Sequence, residues 1–238
     1  MRSSFTIIFL SILFGSCGIS IGNSYTGNGN IKTETRNVGS FDGIQTSGSI
    51  DIEITPGDRP EVSVEDDENI LPLIETEVIK GILHVSYRDD VSVRNDHAKV
   101  YVSTPNLQKI ISSGSANIVF EEGLTSDKNL EITVRGSGDV DGAIDAPGII
   151  ASVSGSGNIK LRGRTRDLQA TCSGSGGMNL IGLKSENVKV KVSGSGNAKV
   201  FASVHLEARV SGSGDISYGG NPSSPEIHTS GSGTVRPE

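Results

Sequence analysis

The stretch Val188-Lys189-Val190-Lys191-Val192-Ser193-Gly194-Ser195-Gly196-Asn197-Ala198-Lys199-Val200 decides the fold. One phase holds Val188, Val190, Val192, Gly194, Gly196, Ala198 and Val200, and the other holds Lys189, Lys191, Ser193, Ser195, Asn197 and Lys199. Alternation with period two describes a strand with one buried face. Two glycines in the buried phase mark either a bend that needs positive φ or a core too thin for side chains. Both readings give two strands meeting at a glycine corner.

The unit recurs along the chain. It is Ser47-Gly48-Ser49-Ile50-Asp51, then Ser113-Gly114-Ser115-Ala116-Asn117, then Gly136-Ser137-Gly138-Asp139 and Gly155-Ser156-Gly157-Asn158. It returns at Gly174-Ser175-Gly176-Gly177, Gly194-Ser195-Gly196-Asn197, Gly212-Ser213-Gly214-Asp215 and Gly231-Ser232-Gly233-Thr234. From Gly114 onward the leading glycines are 22, 19, 19, 20, 18 and 19 residues apart. A fixed period of that length signals stacked repeats. One coil cannot bury its own face, but a second coil stacked about 4.8 Å away pairs its backbone and extends its core. The expected fold is all-β, a parallel β-solenoid with about 19 residues per coil. No hexapeptide rhythm of the left-handed type is visible, which favours a right-handed coil.

Composition agrees with this and narrows function. Glycine makes up 31 of 238 residues, well above the usual share of about 7%, and its periodicity assigns it to corners rather than to disorder. The net charge of −7 disfavours nucleic acid and anionic membrane surfaces as partners. Lys and Arg are scattered and form no block.

The chain divides into four segments. Residues 1–16 read as a signal peptide: Met1-Arg2 is a short basic start, and Phe5 to Phe14 is apolar but too short to span a bilayer. Gly15-Ser16 before Cys17 resembles the bacterial lipoprotein box, in which the cysteine becomes the lipidated first residue. Phe14 stands where that pattern has Leu, and Leu13 lies one position further back. An ordinary signal peptide with an incidental cysteine is the other reading. Residues 17–30 read as the lipidated cysteine and a flexible tether. Residues 31–108 read as irregular coils that cap the solenoid, with room for a short helix between Asp67 and Lys80. Residues 109–238 form the regular solenoid and a tail whose Pro222, Pro225 and Pro237 blunt its edge. The remaining cysteine, Cys172, falls in the inward phase, where a thiol behaves as a small hydrophobe.

Phe41-Asp42-Gly43-Ile44, Gly48-Ser49-Ile50-Asp51-Ile52, Glu68-Asn69-Ile70, Gly81-Ile82-Leu83 and the recurring Ser-Gly-Ser-Gly-Asn/Asp units carry a family resemblance. Over residues 38–235 the chain resembles the family called putative auto-transporter adhesin, head GIN domain, typical of Bacteroidota cell envelopes. The resemblance implies a pectin-lyase-like right-handed β-helix and a role in adhesion. It brings no catalytic residues.

Two outward columns are the candidate binding stripe: the corner serines, and two residues on, Asp51, Asn117, Asp139, Asn158, Gly177, Asn197, Asp215 and Thr234. Its core would be Ser156, Asn158, Ser195, Asn197, Ser213 and Asp215. The plainer reading is structural, since Ser and Asn side chains bond neighbouring backbone at corners. The scarcity of aromatic residues argues against a groove that stacks sugars on rings. Calcium between coils would need more carboxylates than one Asp or Asn per coil. His84, His97, His205 and His228 lie apart without metal-ligand spacing. Asp139, Asp141 and Asp145, with Arg135 and Lys160 near, could serve a solenoid hydrolase or lyase, but a solvated acidic edge explains them with fewer assumptions. The Gly-x-Gly units open no helix, so no phosphate loop is indicated.

The sequence therefore describes a non-enzymatic, envelope-anchored adhesion or binding module, with no catalytic residue, metal or cofactor. The alternatives are a polysaccharide-processing enzyme on the same scaffold and a structural envelope component without a ligand. The expected partner is an extracellular or periplasmic glycan or protein. The membrane enters only through the lipid anchor, and nucleic acid not at all. The expected location is the outer membrane as a lipoprotein, with a secreted or periplasmic form as the alternative.

Overall fold

Inward-facing Val, Ile, Leu and Ala recur at alternate positions of long strands, and burying them is what stacks the coils. The computed structural model describes residues 23–94 and 97–238; the expected signal peptide, residues 1–16, and Cys17 lie outside the described residues. Four strands, Asp139–Gly155, Asn158–Gly174, Gly177–Gly194 and Asn197–Gly212, each make most of a full coil. Neighbouring coils pair in parallel along nearly their whole length. Gly48, Gly114, Gly136, Gly155, Gly174, Gly194, Gly212 and Gly231 stack in one register-matched column. The chain is thus the expected parallel β-solenoid.

The core is a set of columns parallel to the long axis. Ile52, Ile118, Val140, Ile159, Met178, Ala198 and Ile216 form one, and all seven are buried. Leu130, Ile149, Leu168, Val188 and Leu206 form another. Column-on-column packing explains why a coil has no core of its own.

Coil length varies without disturbing the corner. Register shifts fall between Phe120 and Leu124, Lys160 and Arg162, and Leu180 and Ser185. Each lies on the stretch between the two faces that meet at the corner, so the uneven glycine spacings are absorbed there.

The N-terminal end departs from simple coiling. Gly43–Gly48 and Asp51–Pro56 make a coil that pairs with Lys109–Gly114 and Ile118–Val119 on one side. On its other side it pairs with Ile82–Tyr87 and Lys99–Thr104, which come later in the sequence. Antiparallel strands close this end: Ile31–Arg36 on Glu61–Asp67, Glu61–Glu65 on Lys99–Ser103, and Ile74–Ile79 on Ile82–Tyr87. The buried side chains of Ile70, Leu71, Leu73 and Ile74 plug the core.

Two local expectations are corrected. In place of a helix over Asp67–Lys80 there is one 3₁₀ turn, Leu71–Leu73, followed by the strand Ile74–Ile79. Pro72 limits helical continuation, and the β-branched Ile74, Thr76 and Val78 alternate with Glu75 and Glu77 at strand period. Asp67 caps no helix; it is buried and accepts the Gly29 backbone N–H at 2.5 Å. Within the expected tether, Asn23–Thr26 is a strand paired in parallel with Val91–Arg94. Asn28, Asn30 and Lys32 reach Asn69 and Glu68, which fasten the segment to the cap.

Candidate binding surfaces

The two corner glycines have different tasks. The first of each pair has positive φ, between 94° at Gly48 and 129° at Gly155, the region that favours glycine. Its carbonyl accepts two backbone N–H groups of the next coil; Gly174, for example, takes Ser195 and Gly196, each at 2.9 Å. The second glycine faces inward against the backbone below. A Cβ on Gly214 would lie 1.9 Å from the Gly196 carbonyl oxygen, and one on Gly176 would lie 2.2 Å from that of Gly157. Both sequence readings of the glycines hold, one for each position.

The corner serines, including Ser156, Ser195 and Ser213, are exposed, and their backbone N–H groups bond the glycine carbonyls below. The Asx column beside them is engaged in stacking. Asp51 Oδ1 accepts the Asn117 N–H at 2.7 Å, and Asp139 Oδ1 accepts both the N–H and the side-chain amide of Asn158 at 2.9 Å. Asn197 Oδ1 accepts the Asp215 N–H at 2.9 Å, and Asp215 Oδ1 accepts the N–H and hydroxyl of Thr234 at 2.8 Å. The Thr234 hydroxyl, then its N–H, hold the Asp215 carboxyl below its ordinary range. Gly177 has no side chain to continue the column, and the link there is Gly177 N–H to the Gly157 carbonyl. The six stripe residues therefore share one edge, where Asn197 and Asp215 spend acceptors on the coil above and Asn158 donates to Asp139 below.

Of the acidic residues considered for catalysis, Asp139 is held by Asn158 in the Asx column, and Asp141 and Asp145 sit in ion pairs. Asp141 bonds Lys160 at 2.7 Å and Arg162 at 3.0 Å. Asp145 bonds Arg164 through its side chain at 2.7 Å and its backbone N–H at 2.9 Å, which lowers the Asp145 pKa. Arg135 lies on the other face of the corner, in register with Ser154. Among the described residues no three metal-ligating side chains converge. Cys172 is buried and its thiol donates to the Gly176 carbonyl at 3.2 Å, while burial raises its pKa. Thr46 and Ser112 bond the Ile50 and Ala116 carbonyls in the equivalent way.

A second surface was not anticipated. Where the strands that end at the corner begin, a groove of about 280 Å³ crosses several coils. One wall is the register column Gly148, Asp167, Asn187 and His205; the other begins at Ile150 and Gln169. Asp167 accepts Arg166 at 2.8 Å and the Asn187 side-chain amide at 2.9 Å, and the amide is the larger cause of its lowered pKa. Glu207 bonds Lys189 at 3.0 Å and Arg209 at 2.8 Å, and Arg209 leads in lowering its pKa. The residues lining this groove share no motif, so the only sequence signal was their place before and after an inward aliphatic residue.

Fold and surface together define a non-globular stacked scaffold with long lateral faces. The chain belongs to the family described as putative auto-transporter adhesin, head GIN domain, whose model matches residues 40–222. It is similar to a crystal structure of a putative adhesin from Bacteroides fragilis, at 25% identity and TM-score 0.86, covering 90% of this chain and 100% of that one. A putative adhesin from Parabacteroides distasonis is similar at 25% identity and TM-score 0.74, covering 91% and 100%. A putative lipid binding protein from the same species shares the fold at 24% identity and TM-score 0.77, covering 91% and 100%. A search of curated proteins finds no match.

Proposed function

We propose that this protein is a non-enzymatic adhesion module of the bacterial envelope, presented on a lipid anchor at Cys17. The observation that carries the reading is the engagement of its candidate acids. Asp139, Asp141, Asp145, Asp167 and Glu207 are all held in ladder bonds or ion pairs. A general acid or base must be free to exchange its proton with substrate, whereas a recognition surface gains from being fixed in advance. Membership of an adhesin family supports the same reading and an extracellular or envelope location. Lipidation of Cys17, and with it an outer-membrane position, rests on the Gly15-Ser16-Cys17 sequence. A single acyl chain gives marginal anchoring, and more than one gives a stable hold.

The test is a binding screen of the purified full chain on a glycan array and on extracellular-matrix proteins, with calcium and with chelator. Specific binding that survives the chelator is expected. Release of new reducing ends from polysaccharides would overturn the non-enzymatic reading. Cys17→Ala should move the protein from the membrane to the soluble fraction; persistent membrane fractionation would overturn the anchor.

A further inference from the structure

We propose that the groove walled by Asp167 and Gln169 binds an extended, uncharged glycan, which names the ligand class for the adhesion reading above and rests on it. The first argument is unspent hydrogen-bonding capacity. In the Asx column the side-chain oxygens of Asp51, Asp139, Asn197 and Asp215 are used on neighbouring coils. In the groove, the Asn129, Gln169 and His205 side chains line the space without a hydrogen bond to another described residue. An amide carries donors and an acceptor together, which is what adjacent sugar hydroxyls require.

Charge supplies the second argument. Each lysine and arginine at the groove is already paired, Arg166 with Asp167, and Lys189 and Arg209 with the shared Glu207. What remains without a protein partner is amide and imidazole, so an anionic polymer finds no unpaired lysine or arginine. Geometry supplies the third. Backbone edges along the groove are already paired on both sides, so a peptide could not add as a strand. The polar column instead repeats once per coil, about every 4.8 Å, and suits a linear polymer lying along the solenoid axis. Gly148 keeps the groove open, because a Cβ there would lie 2.7 Å from Asn129 Oδ1. Ile150, 41% exposed, offers an apolar contact for sugar C–H faces. No Phe, Tyr or Trp ring lines the groove, so each sugar binds weakly and affinity grows with chain length.

The test uses the purified full chain and the double variant Gln169→Ala/His205→Ala, with retention measured on gels of starch, laminarin, xyloglucan and polygalacturonate. Glu77→Ala, exposed on the cap strand Ile74–Ile79, is the control, and melting curves verify that all three fold alike. The expected result is retention by at least one neutral polymer, strengthening with oligosaccharide length, and reduced about tenfold or more in the double variant only. Equal retention of wild type and double variant would overturn the groove assignment. Retention by polygalacturonate alone would overturn the uncharged class. No retention on any polysaccharide, with adhesion to matrix protein intact, would overturn this inference and leave the adhesion reading standing. Loss of adhesion to every surface would instead sink the adhesion reading itself.

Discussion

Gly194 sits directly on Gly174: a Cβ added to Gly194 would come 2.6 Å from the Gly174 carbonyl oxygen. That carbonyl already takes two N–H groups from the coil carrying Gly194. The first-glycine column is therefore closed to side chains twice over, by contact and by its φ of 108°.

Gly194→Ala should lower stability by about 1–3 kcal/mol, the usual cost of forcing a side chain into a sparsely populated backbone region. Thermal unfolding reads this as a drop of several degrees. An unchanged midpoint would contradict the stacking.

Gly196→Val tests the second column. A Cβ there would meet the Gly176 carbonyl oxygen at 2.3 Å and Cys172 Sγ at 2.7 Å. Overpacking of this kind costs about 1–3 kcal/mol. Ala116 occupies the corresponding site of an earlier coil, where the residue below is Ile50 rather than glycine. Ala116→Gly should therefore leave the corner formed and cost about 1 kcal/mol or less, as read from urea midpoints.

Acid should weaken the solenoid. The carboxyls of Asp145, Asp167 and Glu207 are all lowered in the folded protein, by Arg164, Asn187 and Arg209 in the first place. A depressed folded pKa contributes stability that is present above the unfolded value, about 4, and is lost as pH falls through the folded value. The urea midpoint should hold from pH 7 to about 5 and fall toward pH 3. Asp145→Asn should flatten that fall; an identical slope would rule out the pair as a contributor.

Cys172 should be inert in the native state. Its thiol is buried, bonded to the Gly176 carbonyl, and raised in pKa by burial. In a Cys17→Ala background, a thiol reagent at pH 8 should label it only after denaturant is added. Rapid native labelling would show that the corner opens.

The corner was legible because backbone chemistry admits so few residues there. Only glycine satisfies the φ at Gly155 and the close approach at Gly157, so the same letters recur in each coil from Gly136 onward. The cap was less legible. The coil made by Ile82–Tyr87 and Lys99–Thr104 has no Gly-Ser-Gly unit, and it stacks beneath a coil that precedes it in sequence. Nothing in its local pattern records that order. Ile70, Leu71, Ile74 and Val78 could share a helical face, and only tertiary pairing of Ile74–Ile79 with Ile82–Tyr87 resolves the segment as strand. The groove was hidden for another reason. Asn129, Asp167, Asn187 and His205 are four residues of three types, and stacking alone brings them together.

The register shifts have a consequence for redesign. Unequal coil lengths are taken up between Phe120 and Leu124 and between Leu180 and Ser185, while the glycine column stays in register. One flank of each coil is thus free to change length and chemistry without disturbing its neighbours. Loops grafted between Leu180 and Ser185 would diversify the exterior of this protein while leaving its thread of glycines untouched.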